Sequence, residues 1–396
     1  MKARTLHYLL LVGLRFLEPV SSRTVYSCDG CIPKKVLETP GYGFDIAFDY
    51  LTATVKYTNG TLQALSKVSP GEEYLQVMEQ FRQQHNTSAR NFDHTQHQPE
   101  DVLEKSTIGI LIAEITHLVD SFPQSRNISA EHLGVSMPGF FDKRASARLE
   151  ESLRRLTLLP QRHLFWPSEF MAISAYESGM CGFGTATPED QCGENGYPDR
   201  SILVFHYGKS ALVVSRYIAM IGQILGLAED YYDKSKDRQS PPENRTDSFW
   251  DSDLGGNSIP KDKAAADIYW QDVTTRIADF ISLQSFIIYQ SDLPFLIEQF
   301  VVSGELASMP EFQQALRDAI DRSLGQSSLD NFLHQPKDVI DPLFVAAIGA
   351  AQLAKDYMDA PKPLGCSESA ECERQREVYR DSLVKNERGS MPKQEL

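Results

Sequence analysis

An α/β protein of two lobes is predicted for this chain of 396 residues, on three observations. Strand-like and helix-like patterns alternate along it. Each half contains short apolar segments that read as neighbouring strands. The length also exceeds the size at which one apolar core keeps growing, so two cores are expected.

The chain begins with Lys2 and Arg4, an apolar run from Leu6 to Leu14, and then Glu18-Pro19-Val20-Ser21-Ser22. That order of charged, apolar and small-residue regions predicts a signal peptide over residues 1–22, cleaved before Arg23. Arg15 interrupts the apolar run, which is about half of what spans a bilayer as a helix, so no stable membrane span is expected. Six cysteines and four Asn-x-Ser/Thr sequons, at Asn59, Asn86, Asn127 and Asn244, fit an oxidising compartment. By proximity the cysteines are expected to pair locally, as Cys28/Cys31, Cys181/Cys192 and Cys366/Cys372, although other connectivities are open. Cys28-Asp29-Gly30-Cys31 also has the spacing of a redox dithiol. Its place just after the cleavage site favours a structural bridge. No Cys/His spacing supports a metal site. The last residues, Lys393-Gln394-Glu395-Leu396, are similar to a retrieval signal of the endoplasmic reticulum, so lumenal retention and secretion are both open.

The formal charge is −15. Removing Lys2, Arg4, Arg15 and Glu18, together +2, leaves −17 for residues 23–396. Nucleic acid and anionic membrane are thereby disfavoured as partners.

The first lobe is assigned to residues 23–167. Residues 44–53, 54–57 and 62–65 read as adjacent antiparallel strands, the last two joined at Asn59-Gly60, a favoured two-residue hairpin turn. Apolar spacing predicts helices over 72–84 and 99–122, the second with Ile108, Leu111, Ile112, Ile115, Leu118 and Val119 along one face. Residues 133–137 read as a buried strand, followed by a helix through 158.

The second lobe, residues 168–358, opens on a helix through 176 and a hairpin of 201–205 and 211–218. Residues 229–262 are polar and rich in Pro, Asp and Ser, and read as a solvated loop. Helices follow over 264–288, 311–324 and 342–357, with a strand at 300–302. Residues 359–396 form a charged tail.

Several of these segments carry motifs in a telling order. They are Phe44-Asp45-Ile46-Ala47-Phe48-Asp49-Tyr50, Leu133-Gly134-Val135-Ser136-Met137-Pro138-Gly139-Phe140-Phe141-Asp142, and Ser168-Glu169-Phe170-Met171-Ala172. Then come Phe205-His206-Tyr207-Gly208-Lys209-Ser210, Asp253-Leu254-Gly255-Gly256, Val302-Ser303-Gly304-Glu305, Asp341-Pro342 and Gly349-Ala350-Ala351. Together they resemble the nucleotide-binding domain of the heat-shock 70 chaperones, within the actin-like ATPase superfamily. The resemblance implies a two-lobed actin-like (ribonuclease-H-like) fold with reduced outer subdomains. It places a first phosphate loop at Asp45, Ala47, Phe48, Asp49 and Tyr50, and a second at His206, Gly208, Lys209 and Ser210. Gly255 and Gly256 fall at a Leu-Gly-Gly turn, Gly304 and Glu305 at the adenosine loop, and residues 168–176 and 342–357 at two inter-lobe helices.

Such a site offers glycine N–H groups and hydroxyls to phosphates, and carboxylates to hydrated Mg²⁺ and the attacking water. Here the family's glycine is Ala47, its two threonines are Phe48 and Asp49, and the aspartate of its second loop is His206. Gly208-Lys209-Ser210 is no Walker-A motif, because Leu203 stands where the required glycine would be. The span from Gly256 to Phe300 is less than half of what the family places there, so the small subdomain that closes over adenine is missing.

Asp45, Glu169 and Asp142 are the candidate catalytic carboxylates, and none is assigned that role. Each motif residue also has a purely structural reading. Asp45 could cap strand-end N–H groups, His206 could be a hairpin histidine, and Glu169 a helix N-terminal acid. The glycines could serve turns.

The leading expectation is a degenerate, secretory-pathway ATPase that binds a protein client or co-chaperone as a chaperone-like accessory. No peptide-binding domain is expected, since the chain ends about forty residues after the second inter-lobe helix. The alternatives are an active lumenal ATPase or nucleotide hydrolase using ATP and Mg²⁺, and a structural accessory protein without a ligand.

Overall fold

The computed structural model describes residues 30–88, 101–123, 128, 130–160, 164–176, 200–220, 223–226, 232–233, 248–283, 297–325, 341–359 and 369–390. The signal segment, Cys28, Cys181, Cys192, Cys366, Asn127, Asn244 and the last four residues lie outside them. The fold is α/β with two mixed sheets.

The first sheet is built from β1 (Gly41–Ile46), β2 (Leu51–Lys56), β3 (Leu62–Val68), β4 (Leu133–Met137) and β5 (Phe165–Pro167), in the order β3-β2-β1-β4-β5. β1, β2 and β3 pair antiparallel, while β4 runs parallel to β1 and β5 parallel to β4. The single strand expected over 44–53 is therefore two, broken at residues 47–50. The hairpin turn is wider than two residues: Tyr57 N–H donates to Thr61 O, and Gly60 N–H to Tyr57 O.

Period-two side-chain alternation sets the layers. Tyr42, Phe44 and Ile46 join a core formed with helices α2 (Glu72–Ser88), α3 (Asp101–Asp120) and α4 (Lys143–Arg155). Phe81, Leu111, Ile115, Leu118 and Leu149 are among the buried side chains that these helices supply. A short helix, α1 (Lys34–Glu38), precedes β1.

The opposite face of β1 and β4 receives α8 (Val345–Met358). A Cβ added at Gly43 would strike the Ala347 carbonyl oxygen, and one at Gly134 the carbonyl oxygen of Ala350. These glycines bring helix backbone directly onto the sheet. Against α8 lies α5 (Ser168–Ala175), whose other side packs on the second sheet.

That second sheet comprises β6 (Arg200–Tyr207), β7 (Leu212–Met220), β8 (Gln223–Gly226), β9 (Tyr232–Asp233), β10 (Ser248–Asp251) and β11 (Ile297–Ser303). Its order is β11-β6-β7-β10-β9, with β8 on β7. β6 pairs antiparallel with β7 and parallel with β11. Leu203, Phe205, Phe300 and Val302 face helices α6 (Lys263–Leu283) and α7 (Pro310–Leu324), while Ile202, Val204 and Val301 face α5 and α8.

The polar stretch 229–262 is not wholly a solvated loop, because β10 within it is a sheet strand burying Phe249 and Trp250. Two strand residues of high apolar area, Phe249 and Trp250, outweigh the polar composition around them. Residues 34–359 form a single compact unit.

The remaining unit contains residues 1–33 and 360–396. Its described part carries helix α9 (Ala370–Ser390). Cys31 is bonded to Cys372, with Cα atoms 4.9 Å apart. This replaces the local Cys28/Cys31 and Cys366/Cys372 pairs: closeness in sequence is no guide once folding joins residues 341 positions apart. Among the described residues no helix is long and apolar enough to cross a membrane.

Candidate functional site

The sequence motifs converge where the ends of β1 and β6 meet, and each charged group there is engaged by protein. Asp45 stands opposite Ser136 in the parallel β1/β4 register. Ser136 Oγ donates to Asp45 Oδ1 at 2.6 Å. Ser168 Oγ, at the start of α5, lies 2.9 Å from the same oxygen and 3.0 Å from Met137 O. Burial pushes the Asp45 carboxyl up to about 6, against the two serine hydrogen bonds and with the nearby Glu169 charge adding to the rise.

The break between β1 and β2 projects Asp49 toward the second sheet. Asp49 Oδ2 accepts the backbone N–H of Ser210 at 2.9 Å, and Oδ1 accepts the Ser210 hydroxyl. Burial raises the Asp49 carboxyl, Glu305 adds to the rise, and Ser210 and Lys209 oppose it. The two loops therefore touch directly. A Cβ on Gly208 would come within 2.6 Å of Asp49 Oδ2.

Phe48 is turned away from solvent, at 5.2 Å between centroids from Trp250 and 6.0 Å from Phe140. Tyr50 stacks on His206 at 6.2 Å. Burial holds the His206 ring down to about 4, so it is neutral at physiological pH, and its Nδ1 lies 3.1 Å from Ser303 Oγ. Tyr74 donates its hydroxyl to Ala47 O at 2.6 Å.

Glu305 Oε1 receives Lys209 at 3.0 Å and also Lys67 from β3. Burial alone would raise this carboxyl, but the two ammonium groups hold it below the usual range. The glycines are closed by protein as well. Gly304 has φ +111°, and a Cβ there would meet Tyr207 N at 2.8 Å. One on Gly255 would lie 2.5 Å from Ala211 N, and one on Gly256 would enter Leu306. Gly256 N–H donates to Gly208 O at 3.0 Å.

No family model matches the chain, and no curated protein is similar to it.

The remaining candidates sit apart from this junction in role. Asp142 is the N-cap of α4, accepting the N–H groups of Arg144 and Ala145 at 2.9 and 2.8 Å. Glu169 is buried in the first turn of α5. Lys67, Trp250 and Ser303 belong to the junction and are absent from the sequence-derived site. Trp250 had one signal: it is a large apolar residue inside an otherwise polar stretch. Lys67 had none, since an exposed-looking lysine on a strand gives no hint of a partner 238 positions away. Beside the junction a recess of about 470 Å³ is lined by Phe48, Leu75, Gln76, Gln80, Ser210 and Trp250, among others.

Proposed function

We propose that this chain is a heat-shock-70-like pseudo-ATPase of the secretory pathway, acting as a chaperone-like or accessory binding protein in the reticulum lumen or after secretion. Two features support its descent from a two-lobed actin-like fold. In both sheets the first strand lies between an antiparallel second strand and a parallel later strand. Two helices, α5 and α8, run between the sheets, as the inter-lobe helices of that fold would.

The observation that carries the loss of activity is the Asp49–Ser210 contact. A nucleotide phosphate would need the Ser210 N–H and hydroxyl, and an internal carboxylate already accepts both. Added phosphate charge beside Asp49 and Glu305 would be repelled. His206 supplies a neutral ring where a carboxylate would position a metal-bound water. Asp45, the remaining carboxylate of the motif, is held by Ser136 and Ser168. The residues present do not fit ATP·Mg²⁺.

Isothermal calorimetry of the full chain with ATP and Mg²⁺ tests this reading. No saturable heat at millimolar nucleotide is expected, and micromolar binding would overturn the pseudo-ATPase assignment. Recovery of one defined lumenal client by co-purification supports the accessory role. Recovery of none favours a purely structural protein.

A further inference from the structure

Four sets of contacts at the junction cross from one sheet to the other. Asp49, after β1, binds the backbone and side chain of Ser210, before β7. Lys67, on β3, binds Glu305, just after β11. Tyr50 stacks on His206 of β6. Phe48 and Phe140 pack on Trp250 of β10, at 5.2 and 5.5 Å between centroids. Ala211, Val213 and Trp250 are accordingly part of the core of the first sheet, although they belong to the second.

From this geometry we propose that residues 47–50, Lys67, residues 208–211, Trp250 and Glu305 form a clasp that keeps the cleft shut without any ligand. Opening would have to release two charge-assisted hydrogen-bonded bridges and expose an aromatic cluster in one step. The bridges and the cluster lie side by side, so none can break by a hinge rotation without straining the others. The two sheets then behave as one rigid body, and a partner meets one conformation of the surface. In a ligand-gated cleft the ligand contributes the contacts that close it. Here the chain contributes them itself.

Asp49 is the most informative position. Its carboxylate is buried between the two loops, flanked by Lys209 on the second loop and by Glu305, with Lys67 reaching Glu305 from the first sheet. Asp49→Ala removes both acceptors of Ser210 at once and leaves the Ser210 N–H without its partner. Ser210→Ala removes only the hydroxyl and keeps the backbone bond. Lys67→Met cuts the second bridge while leaving the stem of the side chain in place.

Amide hydrogen exchange of the full chain, read by mass spectrometry, tests the clasp. In the unsubstituted protein the peptide carrying Ser210 is expected to exchange at least about 100-fold more slowly than a free peptide, with no nucleotide present. Asp49→Ala is expected to speed it at least about 10-fold, Lys67→Met by several-fold, and Ser210→Ala least of the three. Peptides covering β1 and β6 stay slow in each variant, which separates opening of the clasp from unfolding. Fast exchange at Ser210 in the unsubstituted chain would overturn the proposal, as would an unchanged rate in Asp49→Ala. If Asp49→Ala proves unfolded, Lys67→Met and Ser210→Ala decide in its place, and unchanged rates in both would overturn it. The proposal rests on the closed cleft, as the pseudo-ATPase reading does, yet the two fail separately. ATP binding with a protected Ser210 amide would refute only the loss of activity, and an unprotected amide without ATP binding would refute only the clasp.

Discussion

Asp49 and Ser210, 161 positions apart in the chain, are joined by two hydrogen bonds to one carboxylate. An ionised acceptor makes such bonds about twice as strong as neutral ones. The same burial that strengthens them makes the carboxylate expensive to leave unpaired. Asp49→Ala is therefore expected to lower stability by about 1–3 kcal/mol. Asp49→Asn, which keeps an acceptor of similar shape, should cost less. Urea titration of the three proteins side by side gives the order, and equal midpoints would contradict it.

Asp45 and His206 should pull stability in opposite directions with pH. Folding raises the Asp45 carboxyl from 3.8 to about 6. Between those values the folded state holds a proton that the unfolded state has released. Asp45 therefore lowers stability as pH rises through that window, by roughly 3 kcal/mol in all. Folding lowers His206 from 6.5 to about 4. In that window the unfolded state holds the extra proton, so His206 raises stability as pH rises, by a similar amount. The two slopes nearly cancel. Asp45→Asn should then leave a protein that becomes more stable from pH 4 to 6.5, and His206→Gln one that becomes less stable. Melting curves at half-unit intervals would refute this if both variants followed the same slope.

Two glycines separate packing from propensity. Gly43→Ala drives a methyl group into the Ala347 carbonyl and the Ala351 backbone of α8, and is expected to cost about 1–3 kcal/mol or more. Gly109, on an exposed face of α3, has nothing within 4 Å of an added Cβ. Gly109→Ala should stabilise by about 0.5–1 kcal/mol through helix propensity alone. Thermal denaturation in which both changes moved the midpoint the same way would contradict the packing of α8 on β1.

The Cys31–Cys372 bond closes nearly the whole chain into a ring. Constraint of so long a loop in the unfolded state predicts a loss of about 2–4 kcal/mol in Cys372→Ser. Non-reducing peptide mapping should recover the residues around Cys31 linked to those around Cys372. A Cys28–Cys31 peptide in its place would show that the bond has been assigned to the wrong pair.

Much of the secondary structure was legible from local pattern. The strand at 133–137, the hairpin of β6 and β7 and the faces of α2 and α3 follow from apolar periods within about a dozen residues. β10 was hidden because a four-residue strand in polar surroundings carries too short a pattern to detect. The break at residues 47–50 was hidden for a related reason. Ala47, Phe48 and Tyr50 are apolar like the strands on either side, and they are buried as part of the junction, off the ladder.

At Asp45 the sequence determined the strand, its apolar neighbours and the alternation that points the carboxylate away from Phe44 and Ile46. Tertiary structure decided what that carboxylate, and Asp49 after it, would meet. Ser136 faces Asp45 through the parallel pairing of β1 with β4. Ser210 reaches Asp49 only because α5 and α8 bring the two sheets together, with glycines admitting α8 against the first of them. Local periodicity records which side of a strand is apolar. It holds no record of which distant donor the packed sheets will place against a buried charge.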